Sequence, residues 1–315
     1  MEYVNLGNSG LKVSTVALGS WLTYGSGVDR ERTAACVRRA LELGVIFIDT
    51  ADIYAKGAAE EVLGEVLTTV KRSDIVLASK AFWPMSDNPN DKGLSRKHLF
   101  ESIDGSLRRL RTDYLDLYQC HRFDPETPVA ETVRAMGDLI AQGKVLYWGV
   151  SCWTAEQIAQ ACTLSDQLGV PRPISNQPPY SLLQRYIEAE VVPQSQRLGL
   201  SQVVFSPLAQ GVLTGKYSGG ARPAGSRGAD ESRNMFMGDD LHPDVLRRVD
   251  EMVEIAHGLG TTPARLALAW ALRHENVASV IVGATKVSQV EDNVAAAELS
   301  LDDEVVGRLN GLFPA

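Results

Sequence analysis

Short apolar runs alternate along the chain with longer stretches whose apolar residues recur at i, i+3 and i+4, and the two patterns predict different elements. The runs are Val16-Ala17-Leu18, Ile46-Phe47-Ile48, Ile75-Val76-Leu77, Tyr114 to Tyr118, Val145 to Val150, Pro173-Ile174, Gln202 to Phe205 and Ser279 to Val282. Each is too short for a helix and mostly apolar, as a strand buried on both faces must be. Glu31 to Glu42, Lys97 to Leu110, Val129 to Ile140 and Thr154 to Leu168 carry the helical spacing. Gly44, Gly143 and Gly199 stand at joints just before apolar runs, where glycine suits the φ > 0 position that closes a helix. Ahead of the first run, Tyr3 to Leu6 and Leu11 to Val13 flank a turn at Gly7 to Gly10 and read as a short hairpin.

Strand and helix therefore alternate in a unit of about thirty residues, which implies parallel pairing and right-handed crossovers. A closed barrel and an open doubly wound sheet both satisfy that pattern. The C-terminal ends of the runs separate them: each gives way to a polar or small residue, namely Ser20, Asp49, Lys80, His121, Ser151, Gln177, Ser206 and Gly283. Barrel enzymes draw their sites from many strands at that rim. A doubly wound dinucleotide fold would show GxGxxG after its first strand, and the chain has none there. The expected fold is a (β/α)8 TIM barrel with an N-terminal β-hairpin, residues 1–315 forming a single domain. One long loop, from Phe205 to about His242, follows strand seven and is rich in Gly, Ser and Arg between Gly219 and Gly228; loops of this length are functional lids or disordered.

Composition narrows the function. Of 315 residues, 44% are hydrophobic and 22% charged, the profile of a soluble globular protein. A net charge of −8 argues against nucleic acid or an anionic membrane as partner. Cys36, Cys120, Cys152 and Cys162 show no CxxC spacing, and the five histidines no ligand spacing, so neither a disulfide framework nor a metal site is expected. The N-terminus lacks a signal-peptide pattern and no stretch is long enough to span a bilayer, so the chain reads as cytoplasmic.

Asp49, Tyr54, Lys80 and His121 stand at or just past three successive strand ends. The fold would bring them to one mouth. A phenol is a poor acid at neutral pH, but a nearby ammonium stabilises its anion, with Asp49 compensating the ammonium charge. His121 could then orient a substrate oxygen toward Tyr54. Taken singly, the tyrosine reads as packing, the lysine as a solvated charge and the histidine as a core residue; convergence gives them weight. A Schiff-base lysine, as in barrel aldolases, is the competing chemistry.

The segments Leu18-Gly19-Ser20-Trp21, Phe47 to Tyr54, Gly93 to His98, Tyr147 to Ser151 and Ser206 to Gly211 together resemble the aldo-keto reductases over essentially the whole chain. The likeness is to the branch that includes potassium channel β subunits and their bacterial relatives. The resemblance implies reduction of a small-molecule carbonyl by NADPH, with Asp49, Tyr54, Lys80 and His121 as the tetrad and Tyr54 the proton donor. It implies that Ser151 and Gln177 hold the nicotinamide carboxamide, that Phe205 lies against the ring, and that Ser20, Trp21 and Asp49 also face the cofactor. Ser206, Leu208, Gln210, Lys216 and Arg227 match the loop that closes over the pyrophosphate and 2′-phosphate, and Gly283, Thr285, Gln289, Asp292 and Asn293 match the adenine end. The channel subunits carry Asn where His121 stands, and Cys152 replaces the Asn or Arg common after Ser151. The channel relatives assemble as rings, so a homo-oligomer is a further implication. A cofactor-binding redox sensor with slow turnover is the alternative to a working reductase. Trp21, Tyr24, Phe82, Trp83 and Met235 to Met237 are candidates for an apolar mouth.

Overall fold

The computed structural model describes the chain except residues 22, 26–28, 231–233, 235 and 236. An antiparallel hairpin, β1 (Tyr3–Asn5) with β2 (Lys12–Ser14), comes first. Eight parallel strands then close on themselves: β3 (Val16–Gly19), β4 (Phe47–Asp49), β5 (Val76–Ala81), β6 (Leu115–Cys120), β7 (Val145–Val150), β8 (Ser175–Asn176), β9 (Ser201–Val204) and β10 (Val277–Val282), the last pairing with β3. The expected (β/α)8 barrel and its hairpin are present.

Helices α1 (Arg30–Glu42), α2 (Ala58–Leu67), α3 (Arg96–Leu110), α4 (Val129–Ala141), α5 (Ala155–Leu168) and α6 (Val191–Leu198) connect the strands in turn, followed by α7 (Pro243–Gly258) and α8 (Pro263–Leu272), and then by α9 (Val287–Val294) and α10 (Asp303–Leu312) after β10. Their ends are written locally. Thr154 accepts from the Gln157 N–H while the Gln157 side chain accepts from the Thr154 N–H, a reciprocal cap for α5, and Gly169 closes that helix at φ 65°. Pro243 and Pro263 begin α7 and α8, where a missing N–H costs nothing. Among the described residues no helix is long and apolar enough to cross a membrane.

Two apolar layers result. The larger packs the outer faces of the strands against the helices, with Leu77, Tyr118, Trp148 and Val280 meeting Leu63, Leu99, Met136 and Leu266. The smaller fills the barrel itself: Ala17, Phe47, Val76, Ala78, Leu117, Val203 and Ile281, joined by Leu6 and Val13 from the hairpin. The hairpin turn is bolted to the N-terminal end of the strands, the Asn8 N–H donating to the Gly199 carbonyl at 2.8 Å and the Gly7 N–H to the Ser201 hydroxyl at 3.0 Å. A side chain at Gly7 would collide with the Ile174 carbonyl oxygen at 2.4 Å. The hairpin is therefore the floor of the barrel, and the opposite rim is left for chemistry.

The sixth barrel strand departs from expectation. Pro173-Ile174 supplied the apolar signal, but the paired residues are Ser175 and Asn176, opposite Ser201 and Gln202. Proline has no N–H to place in a ladder, and of the two residues that do pair, Asn176 is held in the barrel interior by side-chain bonds. The Asn176 amide donates to Gln202 at 3.1 Å, and Gln202 to Asn276 at 3.0 Å. The long segment after β9 also carries more order than a plain loop, with short 3-10 turns at Ala209–Thr214, Ser218–Gly220, Arg227–Ala229 and Gly238–Leu241.

Candidate active site

Period-two alternation explains how the site is assembled. On β5, Val76 and Ala78 line the barrel interior, so Lys80 is the next inward position; on β4, Phe47 is followed inward by Asp49; on β6, Leu117 is followed by Gln119 and then by His121 just past the strand. Register brings them level, Asp49 opposite Ala78 and Lys80 opposite Gln119. Ladder-like bonds continue into the loops: Thr50 N–H to the Ala78 carbonyl at 3.0 Å, Asp52 N–H to the Lys80 carbonyl at 3.2 Å, and His121 N–H to the Ala81 carbonyl at 3.0 Å. Tyr54 follows in the β4–α2 connection. Immediately after it, Ala55, Lys56 and Gly57 all take left-handed conformations, with φ of 50°, 55° and 92°, strain that only Gly57 accepts without cost.

The structure brings Asp49, Tyr54, Lys80 and His121 together. The Lys80 ammonium, fully buried, donates to Asp49 Oδ2 at 2.6 Å, to the Thr50 carbonyl at 2.7 Å and to the Tyr54 hydroxyl oxygen at 3.2 Å. These use all three of its N–H bonds. Asp49 Oδ1 accepts from Gln177 at 2.9 Å and from Gln119 at 3.3 Å. The rings of Tyr54 and His121 meet edge to face at 5.7 Å. The His121 Nδ1 is buried and has no partner among the described residues, an atom a ligand could satisfy.

Electrostatics follow from that packing. Burial disfavours the charged lysine, but the Asp49 carboxylate and the Tyr54 oxygen outweigh it and hold Lys80 above its ordinary range. For Tyr54 burial wins: the phenol is held above its usual value, Lys80 and Arg122 pulling the other way. The expectation that the ammonium sets a net lowering is thus corrected for the chain alone. Lys80 opposes the desolvation of Tyr54 without overcoming it. Burial, with Lys80 and Arg122 nearby, drives His121 well below the usual histidine range and keeps its imidazole neutral.

The other expected residues fall into three groups past the C-terminal ends of the strands. Ser20 is buried on the Thr50 hydroxyl at 2.8 Å, Ser151 donates to the Gln177 carbonyl at 2.8 Å, and half-buried Phe205 follows β9, its N–H on the Pro178 carbonyl at 3.0 Å. Beyond Phe205 the backbone coils left-handed at Ser206, Ala209, Gln210 and Gly211, with Leu208 inside the turn. A Cβ at Gly211 would lie 2.5 Å from the Lys216 amine. Arg227 reaches back to Gln210 at 3.4 Å and lies 5.5 Å from the Trp21 ring centre, joining the segment after β9 to the one after β3. Tyr217, fully buried, anchors the segment from below, its hydroxyl accepting from the Gly228 N–H at 3.0 Å. Past β10, Gly283 precedes Thr285, whose N–H and hydroxyl both donate to Gln289, at 2.8 and 3.1 Å. Asp292 is paired with Arg265 at 2.8 Å, and Asn293 is buried beside it on α9. Of the apolar-mouth candidates, Met235 lies with residue 236 outside the described residues, Tyr24 and Met237 are buried, and Trp83 is exposed.

Two residues of this centre escaped the sequence reading. Gln119 could have been found, since it shares the inward face of β6 with Leu117 in a fully buried strand. Arg122 gave no signal: an arginine after a strand end looks like any solvated charge. It donates to the His121 carbonyl at 2.5 Å and to the Ser151 hydroxyl at 3.3 Å.

Residues 15–313 match the family model described as "Aldo/keto reductase family". A rice protein (Oryza sativa subsp. japonica) is 44% identical over 317 residues, 99% of this chain and 96% of its own length. One from Arabidopsis thaliana is 45% identical over 302 residues, 95% of this chain and 92% of its own. Both are named "Probable voltage-gated potassium channel subunit beta".

Proposed function

Because the chain belongs to the aldo/keto reductase family, we propose that it reduces aldehydes or ketones to alcohols with NADPH, Tyr54 giving the proton. The observation that carries this reading is the direction of the Lys80 hydrogen bonds. The ammonium donates to the Tyr54 oxygen, so the phenol proton has no described acceptor and is left to give to a substrate oxygen. As that proton departs, the phenolate forms 3.2 Å from a fixed positive charge. Neutral His121 offers a second contact to the same oxygen. The same lysine geometry argues against a Schiff base, which needs a free neutral amine, whereas Lys80 is charged and fully bonded.

The residues present fit NADPH. Ser151 and Gln177 would hold the carboxamide, Phe205 would lie against the ring, and Lys216 and Arg227 would meet the phosphates, beside a left-handed turn in which a Cβ at Gly211 would displace the Lys216 amine. When bound, the reduced nicotinamide supplies the hydride. The chain's part is to fix the carbonyl, provide the proton and stabilise the anion left on Tyr54.

Tyr54→Phe removes one hydroxyl and keeps the ring. Its NADPH affinity should be nearly that of the parent, while turnover falls by at least roughly 100-fold, the contribution general acid catalysis makes. Lys80→Met should also suppress reduction. NADPH binding by fluorescence and steady-state oxidation over aromatic aldehydes, dicarbonyls and ketones read both, and a Tyr54→Phe protein reducing at the parent rate sinks the mechanism. The relatives' names favour a second reading, a cofactor-holding regulatory subunit that assembles with another protein. It predicts tight NADPH and negligible carbonyl turnover in the unaltered chain.

A further inference from the structure

Arg122 neither gives nor takes a proton in the proposed reaction, and its surroundings set it apart from other arginines of the chain. It is half-buried directly after His121, its guanidinium carbon 5.7 Å from the Trp83 ring centre. Only its Nη1 is tied down, to the His121 carbonyl and the Ser151 hydroxyl. Among the described residues, Nε and Nη2 meet no acceptor and no carboxylate pairs with the group. Elsewhere in this chain that same Nε and Nη2 edge holds a carboxylate by two prongs, Arg172 on Asp166 and Arg185 on Glu188. Arg122 thus keeps an uncommitted fork in a protein of net charge −8.

Its position gives the fork a use. Bonded to the His121 carbonyl and the Ser151 hydroxyl and lying over the Trp83 ring, Arg122 stands on the wall of the proton-transfer centre, near enough for its charge to act on the Tyr186 phenol as well. On that wall Trp83 and Tyr186 are 38% and 53% exposed, two of the few large apolar side chains left to solvent, and the Trp83 ring meets His121 at 6.3 Å. A cation and aromatic plates beside a carbonyl-reducing centre suit a substrate with a flat apolar body and a negative end.

We infer that the mouth selects carbonyl compounds that also carry a carboxylate, which the Nε and Nη2 edge of Arg122 binds in two-pronged fashion. This rests on the reductase reading above and names its substrate class. The planar fork matches a carboxylate in geometry as well as charge, which a lysine in its place would not.

The test compares 4-carboxybenzaldehyde with its methyl ester at saturating NADPH. In the unaltered protein kcat/KM should favour the acid by about tenfold or more, through KM, as one charge-assisted contact typically provides, and added salt should erode the preference. Arg122→Met should bring the acid-to-ester ratio to about one or below, with Arg122→Lys between. The ratio is read within each protein, so a general loss of turnover cancels, and the salt response of the unaltered protein decides the matter if Arg122→Met does not fold. Equal rates for acid and ester in the unaltered protein, or a ratio that Arg122→Met leaves unmoved, overturns the proposal while leaving the reductase reading intact. Calorimetric titration of NADP+-loaded protein with benzoate and benzamide separates the two ideas when neither aldehyde is reduced. Benzoate binding that is lost in Arg122→Met supports the carboxylate site though the reductase reading fails, and benzoate that does not bind removes both.

Discussion

His121 stands among positive charges. Lys80 and Arg122 both disfavour its protonation on top of burial, so the imidazole stays neutral through the region near about 6.5 where a free histidine titrates. The pH profile of carbonyl reduction should therefore be flat across that region. It should fall only on the alkaline side, beyond about 10, because burial raises the Tyr54 phenol above its ordinary value and a proton donor must keep its proton. Rates measured in constant-ionic-strength buffers read this, and an inflection near neutrality would give His121 an ionising role. Asp49, Lys80 and His121 were legible in the sequence because each interrupts or ends an apolar strand, where an unpaired polar group would be costly. Arg122 was not, because its meaning lies in what it fails to pair with, and only three-dimensional neighbours reveal that.

At the level of elements, α2, α3 and the β4–α2 connection are locked by a buried polar cluster. Ser102 on α3 donates to Asp52 at 2.7 Å, while Glu60 on α2 accepts from Ser79 at 2.6 Å and from Arg109 at 2.7 Å. Gly64 lets the helices touch, since a Cβ there would lie 2.1 Å from the Arg109 carbonyl oxygen. Asp52 Oδ1 has no partner among the described residues. Burial, opposed by the Ser102 bond and reinforced by Glu60, pushes the Asp52 carboxyl up to about 7. The folded chain then keeps a proton that the unfolded chain releases near about 3.9. Stability from this group must accordingly decline as pH rises from about 4 to 7, and the loss persists above 7. Asp52→Asn should remove that decline and raise the urea midpoint at pH 8 more than at pH 4; equal changes at both would show that Asp52 is already ionised or its proton irrelevant. The four helical stretches named from the sequence match α1, α3, α4 and α5 to within a residue at each end, because caps and the 3.6 period are local signals. The strand Ser175–Asn176 was not legible, because both residues are polar and the partner of the Asn176 amide, Gln202, is remote in sequence.

For the whole molecule, the closed parallel sheet gathers residues from strand ends throughout the chain at one rim, and strand-end polarity made that much visible in advance. The segment after β9 was legible only as a long glycine-rich stretch, its turns and its buried Tyr217 being set by tertiary contacts. Lys216 and Arg227 sit on it in an acidic protein, so replacing both with Ala should weaken NADPH far more than NADH in equilibrium titrations, by several kT through lost charge-assisted contacts. Equal losses would detach these cations from the 2′-phosphate. At the other end, Leu6 and Val13 stopper the barrel and Phe47, Val76 and Leu117 fill the space above them. With the hairpin end filled, ligands of the strand-end rim must arrive and depart on the rim side, one behind the other. Whatever seats deepest, beside Ser151 and Gln177, must enter before the molecule that rests on Tyr54 and must leave after it. Steady-state kinetics should thus show compulsory order, with the alcohol product noncompetitive against NADPH and NADP+ competitive with it, and the traffic through a single doorway, rather than the proton transfer, would set the sequence of events.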